Sequence, residues 1–286
     1  MSTLAAEPVA ARAAYTVDPS ASTLSFGGIV RSEWIKLRSL RSTVWSYLIL
    51  FAIALGMAFL MSMSITSGMN GGEGLADAPA DAQREFILMS STFGAVFGQL
   101  VAAVLGVLVI SGEYTTGMIR STLTAVPRRL PALTAKALVL FAATFVVGLL
   151  SAAGAFVVAS IVFSAQGISA NIADPNTFLP LVGAALYLAL VSLFGLGIGA
   201  ILRSSAGGIA AALGVLLLLP MVLQMIPADW AHDLVPYLFS SAGMEIFSQT
   251  TITENLDALA KNVLIALAWV AAALAGAAVL LKKRDA

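Results

Sequence analysis

Six stretches of the chain are apolar almost without interruption: Val44–Ile65, Phe86–Ile110, Ala137–Phe163, Phe178–Leu202, Ala206–Ile226 and Val263–Leu281. A helix needs about 20 mostly apolar residues to cross the hydrocarbon core of a bilayer, so all six are long enough. The third exceeds that length and is expected to tilt or to extend past the bilayer. The runs are continuous rather than alternating, which predicts helices and not barrel strands. The expected fold is all-α and integral to the membrane, with six transmembrane helices in one domain over residues 43–286.

The polar pieces between these runs differ in kind. Residues 1–28 are polar and rich in small residues, and they read as a disordered tail without the apolar core of a signal peptide. In residues 29–42, Val30, Trp34, Leu37 and Leu40, continued by Val44, recur at helical spacing, with Arg31, Lys36, Arg38 and Arg41 around them. This pattern predicts an amphipathic helix lying in the membrane interface, its basic groups toward anionic lipid headgroups. Simple anchoring and partner binding are equally open for it. The segment Ser67–Glu85 is acidic and glycine-rich and reads as a flexible loop. Pro227–Lys261 is too polar to span and too long for a bare connector, so short helices are expected near Met244–Phe247 and Asn255–Leu259.

Composition agrees with the pattern. Of 286 residues, 59% are hydrophobic and 10% charged, against about 25% charged in soluble domains. Mean hydropathy is +0.96. The net charge of zero hides a strong sorting. With both termini placed in the cytoplasm, the inner segments hold 13 of the 15 basic residues and the outer segments 10 of the 15 acidic ones. The positive-inside rule therefore favours cytoplasmic N- and C-termini and a cell-membrane location.

The chemistry on offer is sparse. None of the lysines follows the glycine that a GxxxxGK[ST] phosphate loop requires, so no ATP site of the chain's own is expected. With one histidine, His232, and no cysteine, neither a metal site nor a catalytic constellation is expected. No nucleic-acid partner is expected either. The spans are read as poor in buried charge, with Gln99 and Gln224 as the main deep polar groups, better suited to bonding between helices than to a substrate path. Gly94/Gly98 and Gly195/Gly199 have the spacing that lets helices approach closely, and Pro220 is a candidate kink.

The most informative segment joins the second and third runs: ISGEYTTGMIRSTLTAVPRRLPALTAK, residues 110–136. Glu113 follows the apolar run, Gly117 loosens the backbone, and Met118–Val126 forms a short helix that Pro127 stops, with Met118, Ile119, Leu123 and Val126 on its apolar side. Arg128 and Arg129 mark the membrane surface, and Pro131 opens the next helix. A short helix clamped between two spans is a lever, because a push on it moves both.

This run resembles the cytoplasmic loop of type-2 ABC-transporter permeases. The segment VRSEWIKLRSLRSTVW is similar to the interfacial connecting helix before the first span in actinobacterial exporter members, and the six-span layout fits over residues 29–284. The resemblance implies a membrane subunit that carries no cofactor. It would work with an ABC ATP-binding subunit, which holds ATP and Mg, and with a second permease, identical or related. It further implies that the loop contains a coupling helix, with Glu113, Tyr114, Thr115, Gly117, Arg120, Leu123, Pro127 and Arg128 as the coupling residues. Glu113 would lie in the contact region and Arg120 would face acidic groups of the ATPase. ATP-driven movement would open a path at a dimer interface of spans one, two and five. The apolar spans suggest a hydrophobic or amphipathic cargo. The alternative is a gradient-driven secondary transporter or channel, which needs a coupling-ion site.

Overall fold

The computed structural model describes residues 25–68, 77–126, 129–248 and 255–283. Most of the expected tail, residues 69–76 of the glycine-rich loop, and Pro127 and Arg128 lie outside these residues; the end of that loop from Ala80 is helical instead. Among the described residues every regular element is helical. Six helices are long and apolar enough to cross a membrane.

The first, α1, runs Phe26–Ser39, with the Ser25 hydroxyl accepting from the Gly28 N–H at its start. It thus begins before residue 29 and ends before residue 42, because the helix breaks at Leu40, whose extended backbone (ψ 120°) turns the chain into α2, Arg41–Gly68. The other spans are α3, Ala80–Thr115, α5, Leu130–Ser164, and α6, Pro175–Leu202. Each overshoots its apolar run because polar residues near helix ends reach the interface. Between α3 and α5 lies the short α4, Met118–Ala125.

The fifth span is a composite. It consists of α7, Ser205–Leu213, a π-helical turn over Gly214–Leu218, and α8, Leu219–Met225. The wide turn sits just before Pro220. In an α-helix the Pro220 ring would crowd the Leu216 carbonyl and supply no N–H to it, and a π turn accommodates both defects. The region from Pro227 holds α9, Asp229–Leu234, a single 3₁₀ turn at Val235–Tyr237, and α10, Phe239–Glu245. The last span is α11, Leu256–Lys283. The short helix expected near Met244–Phe247 is therefore displaced toward the N-terminus. The one expected near Asn255–Leu259 is the first turn of the last span, because Asn255 caps α11 through its side-chain oxygen and the Ala258 N–H.

Helices α3 and α6 form the centre. The apolar windows of α3 and α6 are 61% and 72% buried, against 17% for both α2 and the composite fifth span. Their close approach is set by small residues. A Cβ on Gly106 would overlap the Ser192 carbonyl oxygen, and one on Gly195 would overlap that of Ala103. Such backbone-to-backbone packing is how helices associate when the solvent is itself apolar. Of the two expected glycine pairs, Gly195 and Gly199 both press on α3, Gly94 presses on the α2 backbone at Ala54, and Gly98 makes only ordinary contact with Leu188 and Leu50.

Candidate functional site

Three turns of the chain meet at one end of the bundle. Arg129 donates to the Leu281 carbonyl at 2.8 Å, which places the α4–α5 junction beside the last turn of α11. The backbone there is tightly folded. Gly117 (φ 72°), Arg129 (φ 57°) and Arg203 (φ 52°) all take left-handed conformations. Glycine adopts this region without cost, whereas the two arginines do so under strain.

Within this end, four side chains of opposite charge converge. Glu33 lies on the protein-facing strip of α1 with Ile29 and Leu37, and it is 3% exposed. Lys36, one turn on, reaches Glu33 Oε1 at 2.7 Å and Glu113 Oε1 at 3.1 Å. Lys136, in the second turn of α5 and 4% exposed, reaches Glu33 Oε2 at 2.5 Å and Glu113 Oε1 at 2.8 Å. Each lysine thus bridges both carboxylates. Lys36 Nζ also donates to Thr122 Oγ1 at 3.1 Å, extending the network onto α4. The cluster joins α1, α3 and α5 by charge and α4 by a hydroxyl.

Burial of so much charge is costly unless every partner is in place. Here the opposite charges are matched two against two, and only Glu113 Oε2 is buried without a hydrogen-bond partner. Burial pulls the Lys36 ammonium down, but its hydrogen bond to Glu33 and the Glu113 charge outweigh it and hold Lys36 above its ordinary value. Beside the cluster lies a cavity of about 360 Å³ between α1, α3, α4 and α5.

The expected residues fall into three groups. Gly117 supplies the left-handed step that starts α4, and the Thr115 hydroxyl is tied to the Gly112 carbonyl at 3.0 Å. Tyr114 is half-buried with the Arg203 guanidinium 5.1 Å from its ring centre. Glu113 lies beneath α4, buried against the two lysines rather than displayed on the surface. Arg120 and Leu123 belong to α4, whereas Pro127 and Arg128 fall outside the described residues.

On α1 the expected apolar face is rotated. Ile29, Glu33 and Leu37 face the protein, while Trp34 and Leu40 are exposed. The reason is the charge cluster, which draws Glu33 inward and turns the helix on its axis. Arg31, Arg38 and Arg41 are exposed as expected, but Lys36 points into the cluster rather than toward headgroups. The spans are likewise not free of buried charge: Glu113 and Lys136 sit in α3 and α5 beyond the limits of their apolar runs, where only a partner makes burial tolerable.

Gln99 and Gln224 are not brought together. Gln99 is fully buried, donating to the Val96 carbonyl at 2.8 Å and accepting from the Tyr187 hydroxyl, a bond between α3 and α6. Gln224 is exposed on α8. Glu33 and Lys136 are the residues that sequence reasoning missed as a site. The available signals were the carboxylate on a helix face otherwise marked by Ile29 and Leu37, and a lysine directly before a long apolar run.

A family model described as ABC-2 family transporter protein matches residues 28–286. Comparison with curated proteins gives no match. The matched residues hold α1, all six membrane-spanning helices and α4, and thus the whole charge cluster. The chain belongs to the ABC-2 family of transporter proteins and is a multi-pass membrane permease of an ABC transporter.

Proposed function

We propose that this permease is the membrane half of an ATP-driven exporter, moved by a separate ATP-binding subunit that carries ATP and Mg. The observation that carries the reading is α4. It is a single short helix, hung between two spans at the end that holds α1 and the last turn of α11, and its Thr122 is bonded to a charge cluster shared by α1, α3 and α5. A force on α4 is passed to three other helices at once. The basic residues gathered at this end support its placement in the cytoplasm and the protein's in the cell membrane. In this reading Glu113 works from inside. It fixes α3 to α1 and α5, while the exposed Met118 and the rest of α4 meet the ATPase.

The poorly buried α2 and composite fifth span support a second permease, identical or related, on that side. The uncharged centre between α3 and α6 supports a hydrophobic or amphipathic cargo. The test is ATP hydrolysis by the co-purified ATP-binding subunit in liposomes, with and without this chain. Thr122→Val removes the link to α4 without stranding a charge. Its own cost in stability is about 1 kcal/mol. Stimulation of hydrolysis is expected to fall by about fivefold or more. Unchanged stimulation by Thr122→Val and by Glu113→Gln would overturn the coupling role, and failure of any ATP-binding protein to co-purify would overturn the exporter reading.

A further inference from the structure

On the other side of α1 from the charge cluster, a cleft of about 380 Å³ runs between α1, the start of α2 and the middle of α5. Its volume falls within the range of small-molecule sites. The walls are apolar: Val44 on α2 faces Ala142 and Val146 on α5, and the small Ala142 leaves the space open. Charge is confined to its mouth at α1. Arg38 stands there exposed, with no ion pair among the described residues, and the exposed Arg41 lies one turn further along the chain. No carboxylate lines the cleft. Glu33, the acid of α1, is occupied by Lys36 and Lys136 on the opposite face.

Thr43 lines the same end. It is 3% exposed, and its hydroxyl has no hydrogen-bond partner, whereas the next hydroxyl in the cleft, on Tyr47, is paired with Thr144 at 3.0 Å. The Thr43 hydroxyl is sealed off from the cleft, so Thr43 contributes only carbon to the wall. The half-exposed Trp34 flanks the mouth, the usual residue of a membrane–water boundary.

We propose that this cleft binds one phospholipid with an anionic headgroup. An acyl chain lies along Val44, Ala142 and Val146, and the phosphate accepts from the Arg38 guanidinium at the mouth. An arginine there with no ion pair among the described residues favours a net-negative headgroup over a zwitterionic one. The inference is independent of ATP coupling, since the cleft shares no charged group with the cluster.

Native mass spectrometry of the full chain, purified in detergent with equal phosphatidylglycerol and phosphatidylcholine, tests it. The wild-type chain is expected to retain phosphatidylglycerol about fivefold over phosphatidylcholine. Arg38→Ala is expected to abolish that preference. Arg31→Ala, on the same helix but outside the cleft, is expected to keep it. Ala142→Phe fills the cleft from its exposed side and is expected to lower retention of both lipids; this variant decides the matter if Arg38→Ala fails to fold. Equal retention of both lipids by the wild type would overturn the proposal, as would unchanged retention by Ala142→Phe. Inorganic phosphate displacing the bound phosphatidylglycerol would overturn the lipid assignment in favour of a phosphate site. Loss of dimer by Ala142→Phe without loss of lipid would mean that a second copy of the chain fills the cleft.

Discussion

Two of the places where α3 is locked to its neighbours by polar side chains use opposite chemistry. At the end of the bundle that holds α1, Glu113 is held by two lysines that also hold Glu33. Deep in the bundle, Gln99 is held by one neutral bond from Tyr187. The surroundings differ in the same sense. Tyr187 packs on Phe239 and Phe247, with ring centres 6.1 and 5.8 Å apart, and a Cβ on Gly243 would collide with its ring. The charge cluster instead adjoins an open cavity of about 360 Å³ and consists of long side chains with alternative acceptors. The deep lock has one arrangement. The charged lock offers each lysine a choice of acceptor, since each already serves two carboxylates. Movement in this permease is therefore expected at the charged end, with the aromatic end as its fixed reference.

The strongest way to break the comparison is to take one charge out of the cluster. Glu113→Ala leaves Lys36 and Lys136 sharing Glu33 alone. Removing one partner of a buried ion pair costs about 3–5 kcal/mol. Thermal unfolding in detergent is expected to show a loss of that order. Replacing both partners, as in Glu113→Gln with Lys136→Met, is expected to recover much of it, because no buried charge is then left unmatched. Equal losses in the single and double variants would mean that Glu113 and Lys136 are not coupled.

The deep lock should respond differently. Tyr187→Phe keeps the ring and its aromatic contacts but leaves the Gln99 oxygen without its donor. An unsatisfied buried acceptor costs about 1–3 kcal/mol. Hydrolysis stimulated by the permease is expected to stay near the wild-type level in this variant, while that of Thr122→Val falls. A drop in stimulation by Tyr187→Phe as large as that of Thr122→Val would erase the distinction between a fixed and a movable region.

Sequence reasoning reached these two regions unequally. The six spans and α4 were legible because hydrophobic run length and the Gly117–Pro127 punctuation act locally. Gln99 stood out as a polar residue in an apolar run, and bonding between helices was the preferred reading, though its partner Tyr187 lies 88 residues away. The charge cluster was hidden. Glu33 and Lys36 are neighbours on one helix, but Glu113 and Lys136 reach them only after the chain has crossed the membrane twice. Lys136 looked like a topology signal, and Glu113 like a surface contact for the ATPase rather than a buried partner. The rotation of α1 was missed for the same reason: a carboxylate is normally placed on the solvent face, and only a partner from another helix reverses that preference. The π turn before Pro220 was foreseen as a kink but not in its kind, which depends on how a helix absorbs a missing hydrogen bond.

The smallest effect concerns pH and sharpens the same contrast. Lys36 is pulled down by burial, but the Glu33 hydrogen bond and the Glu113 charge together hold it above its ordinary value of 10.5. A group whose folded value is raised stabilises the fold fully below its unfolded value, and that stabilisation is lost as pH rises through the folded value. The stability difference between the wild type and Lys36→Gln is thus expected to be constant from pH 7 to about 10 and to shrink above that. Denaturant unfolding in detergent over this range checks the sign. A difference that grows with alkalinity would show that Lys36 is held by packing rather than by Glu33 and Glu113. No such slope can come from the contact of Gly106 and Gly195 with the facing backbones, because those residues carry no titrating side chain. Any alkaline loosening that Lys36→Gln removes must therefore begin at the charged end, at the joint between α1, α3 and α4 where the proposed ATPase would pull.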